Sequence, residues 1–322
     1  MGKYTQLTQE QRYQIYAFMK ANFLQSAIAR EIGVHKSTVC RELKHNRGRK
    51  GYRPKQAHLL AIERREKAAK FVKLTPQVVA LIDDLIKQDF SPEQVSGFLD
   101  RTYGLRISHE TIYKHVLVDK ANRGNLYRHL RHTHKKRRKR YGSQDRRGQI
   151  HGRVSIDERP AIVDAKKRIG DWEIDTLTGK NHKGALLTIV ERKSKLTLIK
   201  KLPNKHADLV AEAVVNLLAF YRKKVFTITA DNGKEFAHHQ KISNQLNAQV
   251  YFAHPYHAWE RGLNENTNGL IRQYFPKGTN FETITNDQVQ IVMERLNNRP
   301  RKTLGFKTPI EVFFQVYQKH AA

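Results

Sequence analysis

Residues 225–236, VFTITADNGKEF, carry six strand-favouring side chains straight into Asp231, Asn232 and Gly233. Two readings of that ending compete. Asn-Gly after a β-run is ordinary turn chemistry, and Asp at a strand end tolerates the geometry. The alternative is a strand that serves as a rigid post, holding one hard oxygen ligand at the rim of a sheet where a metal ion would need it.

Working outward from this strand, DWEIDTL (171–177), ALLTIVERK (185–193) and LTLIKKL (196–202) read as three closely spaced strands in an antiparallel meander. HADLVAEAVVNLLAFYRKK (206–224) is a long helix with an apolar face. After the strand ending at Asp231 come a helix near 235–247 and the strand QVYFAHP (249–255). The order βββαβαβα predicts an α/β domain with a mixed sheet flanked by helices over residues 161–322, the order used by the ribonuclease H-like fold.

A metal at Asp231 would need partners from other elements. Asp171, Glu173 and Asp175 alternate onto one face of the first strand, and three acids on one face have no ordinary packing reason. Any of them could be presented toward Asp231. Further on, WERGLNENTNGLIRQYFPKG (259–278) turns helical from about Leu263. This places Glu265 in the first turn and Arg272 seven residues later on the same face. A carboxylate at a helix start also complements the helix dipole without any metal.

The bulk numbers point to a polyanionic partner. In 322 residues, 60 Lys and Arg against 30 Asp and Glu leave a net charge of +30. Residues 1–150 hold 33 basic and 13 acidic side chains, a balance of +20, so the N-terminal half is the stronger gripping surface. No apolar run reaches the roughly 18 residues needed to span a bilayer, and the N-terminus lacks the apolar core of a signal peptide, so no membrane association and a cytoplasmic location are expected. The single cysteine, Cys40, excludes an internal disulfide and multi-cysteine zinc sites, and is expected to be a small packing residue.

Within residues 1–50, QSAIAREIGVHKSTVCREL (25–43) sets Ile28, Ile32, Val34, Val39 and Leu43 as a small core, with Ala29 allowing a close helix crossing and Gly33 a tight turn. This is a helix-turn-helix pattern. With Val39 and Leu43 facing inward, Ser37, Thr38, Arg41 and Lys44 are the expected base or phosphate contacts. Residues 51–74 read as a charged helical linker. A second helix-turn-helix spans 75–120, with Val95, Leu99, Ile107, Ile112 and Val116 inward and Ser108 capping the last helix. Glu110, Thr111, Lys114 and His115 remain outside, of which Thr111 and Lys114 are the expected DNA contacts. Residues 121–160 form a basic linker whose run of Lys135, Lys136, Arg137, Arg138, Lys139 and Arg140 cannot pack against itself and is expected to track phosphate.

Asp175, Asp231 with its Asn-Gly, and Glu265 after a further 33 residues resemble the DDE triad of bacterial transposases. The strings GDWEIDT, TADNGKEF, RGLNENTNGLIRQYFPKGTNF and LNNRPRKTLGFKTPIEVF, with the two helix-turn-helix units, resemble more narrowly the insertion-sequence-thirty family, over nearly the whole chain. The resemblance implies Asp175 as the mid-strand acid, Asp231 as the strand-end acid and Glu265 as the helix acid, together holding two Mg²⁺ ions for which Mn²⁺ would substitute. It also implies double-stranded DNA partners, both element ends and target, for a transposase that releases the element's 3′ end and joins it to target. Arg272 would then hold a phosphate beside Glu265. Asp171 departs from the histidine of the family's GHWEGD-like string and stands as a rival to the triad acids that is worth testing; Glu173, Glu235 and Glu260 are expected to be structural or to support the triad from behind.

Asn264 and Asn268 either orient DNA or cap their helix. Trp172 is expected in the core and Trp259 in a loop that could stack on a base. His254 and His257 are expected in phosphate contact or loop packing. Cutting two ends implies a homodimer or higher oligomer on DNA, at the nucleoid. The competing class is a non-catalytic DNA-binding regulator with a dimerising ribonuclease H-like domain. A retroviral-type integrase would need a second cysteine for its amino-terminal zinc module, and a structure-specific nuclease has little use for two sequence-reading modules.

Overall fold

The computed structural model describes residues 6–67, 74–131, 150–255 and 257–315. The chain forms two compact units, Met1–Lys73 and Leu74–Ala322. In the first, α1 (Gln9–Lys20), α2 (Gln25–Glu31) and α3 (Lys36–His45) enclose Ile15, Ile28, Ala29 and Val39, with Gly33 at φ +68° making the α2–α3 turn. Ile15, Ile28 and Val39 are fully buried, which favours folding by roughly 2 kcal/mol each. The stretch expected as a linker contributes α4 (Pro54–Lys67), whose Ala57 joins the same core. It looked polar because much of its anchoring is polar. Arg12 pairs with buried Glu42 (2.8 and 3.1 Å), Tyr52 donates to Glu42 (3.2 Å), and Arg64 of α4 donates to the His45 carbonyl (2.6 Å) and to Asn46 (3.0 Å).

The second unit opens with α5 (Pro76–Lys87), α6 (Pro92–Tyr103) and α7 (His109–Ala121) around Ile82, Ile86, Val95, Leu99, Ile112 and Val116. Ser91 and Ser108 cap α6 and α7 from their side chains, as their positions predict. These helices are fastened to the domain that follows. Arg101 binds Glu311 through both oxygens (2.6 and 3.1 Å), Gln94 donates to the Pro300 carbonyl (2.8 Å), and Arg295 reaches Asp89 (2.5 Å).

The sheet holds six strands: β1 (Val154–Ser155), followed through the short α8 (Ala161–Ala165) by β2 (Asp171–Thr178), β3 (Ala185–Glu191) and β4 (Thr197–Leu202). After α9 (Ala207–Ala219) come β5 (Thr227–Ala230), α10 (His239–Leu246) and β6 (Gln249–Phe252). Their spatial order is β1-β6-β5-β2-β3-β4. β2, β3 and β4 form the predicted antiparallel meander, while β5, β6 and β1 run parallel to β2. β1 lies inside the stretch expected as linker; two residues carry no periodicity, and their pairing is with a strand about a hundred positions away.

Alternation along β2 separates two layers. Trp172 and Ile174 face the core built with α9 and α10. The intervening residues lie on the side of α11 (Gly262–Tyr274) and α12 (Asn286–Asn297), which pack on Leu186 and Ile199, while α13 (Pro309–Phe314) sends Phe313 into the Trp172 core. The acidic side of β2 therefore lies beneath α11.

Candidate active site

Three acids on one face of β2 have three different fates. Asp171 accepts two bonds from Arg168 (2.9 and 2.8 Å) and one from Thr227 (2.8 Å). Glu173, 1% exposed, pairs with Arg192 (2.6 Å) and accepts the Asn264 backbone N–H (3.2 Å). Burial pushes its carboxyl above the usual range against the pull of Arg192. So two of the three have a packing reason after all: buried charges persist when paired, and the pairing cations lie 3 and 19 residues along the chain. Only Asp175 turns to a partner at the sheet rim.

Strand register brings Asp175 and Asp231 level. β2 and β5 pair in parallel as Asp171 with Thr227 and Glu173 with Thr229, and two residues further the same count reaches Asp175 and Asp231. Both carboxylates converge on Arg261, whose Nη1 lies 3.6 Å from Asp175 Oδ1 and whose Nη2 donates to Asp231 Oδ2 at 3.3 Å. Nη1 also donates to the Ile174 carbonyl (3.1 Å), which fixes the guanidinium at the strand ends. Burial raises the Asp175 pKa, and Asp231 adds to that, with Arg261 opposing.

The carboxylates are held as well as paired. Asn268 of α11 donates to Asp175 Oδ2 (2.7 Å) and accepts from Thr188 (3.2 Å), while the Thr176 N–H donates to Asp175 Oδ1 (2.9 Å). Gly233 N–H donates back to Asp231 Oδ1 (2.9 Å), so the Asn-Gly forms a side-chain-closed turn and no hairpin. A Cβ at Gly233 would stand 2.5 Å from Glu235 Oε2 and 2.8 Å from Asp231 Oδ1, so a larger residue would push against both carboxylates. Asn232 braces the turn, donating to the Ala253 carbonyl (2.5 Å) and accepting from Arg153 (2.5 Å). Glu235 accepts from Thr176 (2.8 Å) and lies 3.5 Å from Lys205.

Glu265 stands exposed in the first turn of α11. It sits four residues after Arg261 and three before Asn268, so it shares a helix face with two side chains that reach Asp175. Among the described residues, no three His, Cys, Asp or Glu side chains gather closely enough to hold a metal ion together. The two aspartates gather instead around a cation of the chain's own. An all-oxygen pair that already accommodates positive charge suits a hard divalent ion.

Other expected residues take varied places. Arg272, expected to hold a phosphate beside Glu265, donates to the Thr178 (3.2 Å), Phe275 (3.4 Å) and Pro276 (3.5 Å) carbonyls and lies over Phe281 at the end of α11. His254 packs the loop between Glu260 (2.8 Å) and Asp157 (2.9 Å), and these bonds, Glu260 first, raise its pKa. Asn264 offers its N–H to Glu173 while its buried amide finds no partner. Trp172 is buried in the core and donates to the Lys224 carbonyl (2.9 Å). The Trp259 side chain and the run from Lys135 to Arg140 lie outside the described residues.

On α3, Arg41 and Lys44 are exposed, Ser37 and Thr38 half-buried, and Arg41 donates to Ser37 (3.1 Å). Thr38 and Arg41 line a cleft of about 320 Å³ with Arg64 and Arg65 of α4, cations the pattern reading left in a linker. Cys40 is exposed and does not pack, because it falls a quarter-turn beyond inward-facing Val39. On α7, Lys114 is exposed, Thr111 bonds to the capping Ser108 (2.9 Å), and His115 is half-buried against Asp83 (2.6 Å). Arg261 escaped the sequence reading, although a cation four residues before Glu265 was its visible signal.

A family model described as an integrase core domain matches residues 165–258, and one described as a helix-turn-helix domain matches residues 3–46. The transposase for insertion sequence element IS4351 of Bacteroides fragilis is 47% identical over 98% of this chain and 97% of its own length. The transposase for IS1086 of Cupriavidus metallidurans is 36% identical over 98% and 96%, and transposase InsI for IS30A of Escherichia coli 37% over 95% and 82%. Among solved structures, the catalytic core domain of BIV integrase aligns at 23% identity with a TM-score of 0.37, over 45% of this chain and 93% of that one.

Proposed function

Because the chain belongs to the insertion-sequence-thirty family of transposases, we propose that it binds the terminal inverted repeats of its own element and catalyses metal-dependent 3′-end cleavage and strand transfer into target DNA. The observation that carries this reading is the convergence of Asp175 and Asp231 on one guanidinium at the ends of neighbouring strands. With Glu265 on the adjoining helix face, these residues would hold two Mg²⁺ ions, and Mn²⁺ would substitute. A bound metal pair supplies activation of the attacking oxygen and stabilisation of the leaving one.

The chain's own groups set the geometry. Asn268 and the Thr176 N–H orient the Asp175 oxygens, and the Gly233 N–H orients Asp231. Glu265 stays open to solvent and to an incoming phosphate. In the first step water attacks the phosphorus at the element's end and the element's 3′ oxygen leaves as a hydroxyl. In the second that hydroxyl attacks a target phosphorus and displaces a target 3′ oxygen. Both are displacements at phosphorus, so one site serves and no covalent enzyme intermediate forms.

Ser37, Thr38, Arg41 and Lys44 on α3, with Thr111 and Lys114 on α7, are the DNA readers, and residues 135–140 track the backbone. Two ends require a homodimer or larger assembly, acting at the nucleoid in the cytoplasm. Among the described residues no helix is long and apolar enough to cross a membrane. The test is strand transfer with Mg²⁺: wild-type protein should join a 3′-OH end to target DNA and Asp231→Ala should not. Equal activity of the two removes the catalytic assignment and leaves a DNA-binding regulator.

A further inference from the structure

The loop between α12 and α13 carries two arginines that the carboxylate site does not use. Arg299 is 2% exposed; its Nη1 donates to Gln273 (3.3 Å), its Nη2 to the Tyr274 hydroxyl, and its Nε has no partner. Arg301 donates Nη2 to the Leu296 carbonyl (2.9 Å), and its buried Nε is also without a partner. A third guanidinium, Arg131, lies over α11, where a Cβ on Gly269 would fall 2.7 Å from its Nη2. All three line one cleft of about 420 Å³, walled by Gln94 of α6, Tyr113 of α7 and Asn266 of α11.

Among the described residues, the only carboxylate lining that cleft is already matched. Asp89 accepts from Arg295 (2.5 Å) and Tyr274 (2.9 Å) through one oxygen and bonds His129 (3.0 Å) through the other. Among the described residues, no salt bridge reaches Arg131, Arg299 or Arg301. Burial, then Arg299 and Arg131, hold the Arg301 pKa down to about 10, so the three cations crowd one another in the cleft. Buried charges in native proteins are paired, and planar guanidinium groups with free N–H donors are suited to phosphate oxygens.

We propose that this cleft, built by Arg131, Arg299 and Arg301 between α6, α7 and α11, binds a backbone phosphate of DNA, as an anion site additional to the carboxylate site. It rests on the reading of the chain as a DNA-acting transposase. DNA is the favoured source of the phosphate because Tyr113, next to the expected reader Lys114, forms one wall. Arg131 also precedes the KKRRKR run by only four residues. A phosphate held here would tie the duplex read by α7 to the catalytic domain.

The experiment compares full-length wild type, Arg301→Met and the exposed-site variant Arg131→Gln in two assays. Binding to a random-sequence duplex is followed across a salt series, and thermal melting without DNA is followed in chloride and in sulfate at matched ionic strength. Each variant should bind about tenfold more weakly near 0.1 M salt, with a log–log salt slope shallower by about 0.9, the share of one phosphate. Sulfate should raise the wild-type Tm, and Arg301→Met should lose that gain while melting no lower than wild type in chloride.

An unchanged salt slope with the sulfate gain lost would make this a free-anion site and overturn the proposal. An unchanged slope with a lower Tm would make the arginines structural and overturn it as well. Arg131→Gln keeps the question answerable if Arg301→Met fails to fold. A wild type that binds no DNA would sink the transposase reading itself, a result distinct from wild-type binding that the variants share.

Discussion

Arg261→Ala should turn an internally neutralised pair of carboxylates into a metal-hungry one. In the native fold the guanidinium lies 3.3 Å from Asp231 and 3.6 Å from Asp175, with its side chain 14% exposed and those of the aspartates 30% and 19%. At an effective dielectric of about 20, unit charges at such separations attract by about 5 kcal/mol each before desolvation is subtracted. Breaking a buried pair costs about 3–5 kcal/mol, and partial exposure brings the expected loss to about 2–3 kcal/mol. The metal-free variant should melt below wild type by that amount. A divalent ion no longer competes with Arg261, so apparent Mn²⁺ affinity should rise about tenfold, equivalent to about 1.4 kcal/mol. Thermal melts of the full chain over a Mn²⁺ series, with EDTA as reference, read both quantities, because a ligand at free concentration L that binds only the folded state stabilises it by RT ln(1 + L/Kd) and so raises Tm with concentration. A variant whose Tm deficit is untouched by Mn²⁺, or whose Mn²⁺ affinity is no higher than wild type, refutes the view that Arg261 occupies the cation position.

Other substitutions probe the frame. Burial raises the folded Asp175 pKa above its unfolded value, so the folded chain holds that proton more tightly and stability falls as pH climbs from about 4 through the raised pKa. Asp175→Asn, metal-free, should therefore melt above wild type at pH 7, with the gap closing toward pH 4 in a pH series of thermal melts. Arg101→Ala should cost about 2–3 kcal/mol by urea unfolding. Although burial opposes it, bonds from Arg101 and Thr308 hold the Glu311 pKa below its ordinary value, so the stabilisation is complete above about pH 4.5 and in wild type is lost as pH falls through the depressed pKa. Gly97→Ala would set a Cβ 2.3 Å from the Phe306 ring and should destabilise by about 1–3 kcal/mol; Phe306→Ala in the same chain should recover part of that loss.

Much of this architecture is legible in the sequence because it is periodic. Alternation of Trp172 and Ile174 with acids gave β2 two faces, and helical spacing placed Glu265 in the first turn of α11. What stayed hidden is non-local. Nothing in the order of residues matches Glu173 to Arg192 or Asp171 to Thr227, so an acidic strand face resembled a metal cradle more than it is one. The bonds from Arg64 to the His45 carbonyl and Asn46 anchor α4 by polar contacts, which hydropathy reads as the mark of a linker. Arg261 and Arg299 belong to the same category: each is a cation whose meaning depends on which groups surround it.

Anomalous diffraction from crystals of the full chain, grown with Mn²⁺ and a duplex carrying the element's end, would locate the metal by its own scattering. Manganese peaks bonded to carboxylate oxygens of Asp175, Asp231 and Glu265, with Arg261 moved from between the two aspartates, are the expected result. Peaks placed elsewhere in crystals that still perform strand transfer, or a Glu265 carboxylate remote from every peak, would contradict it.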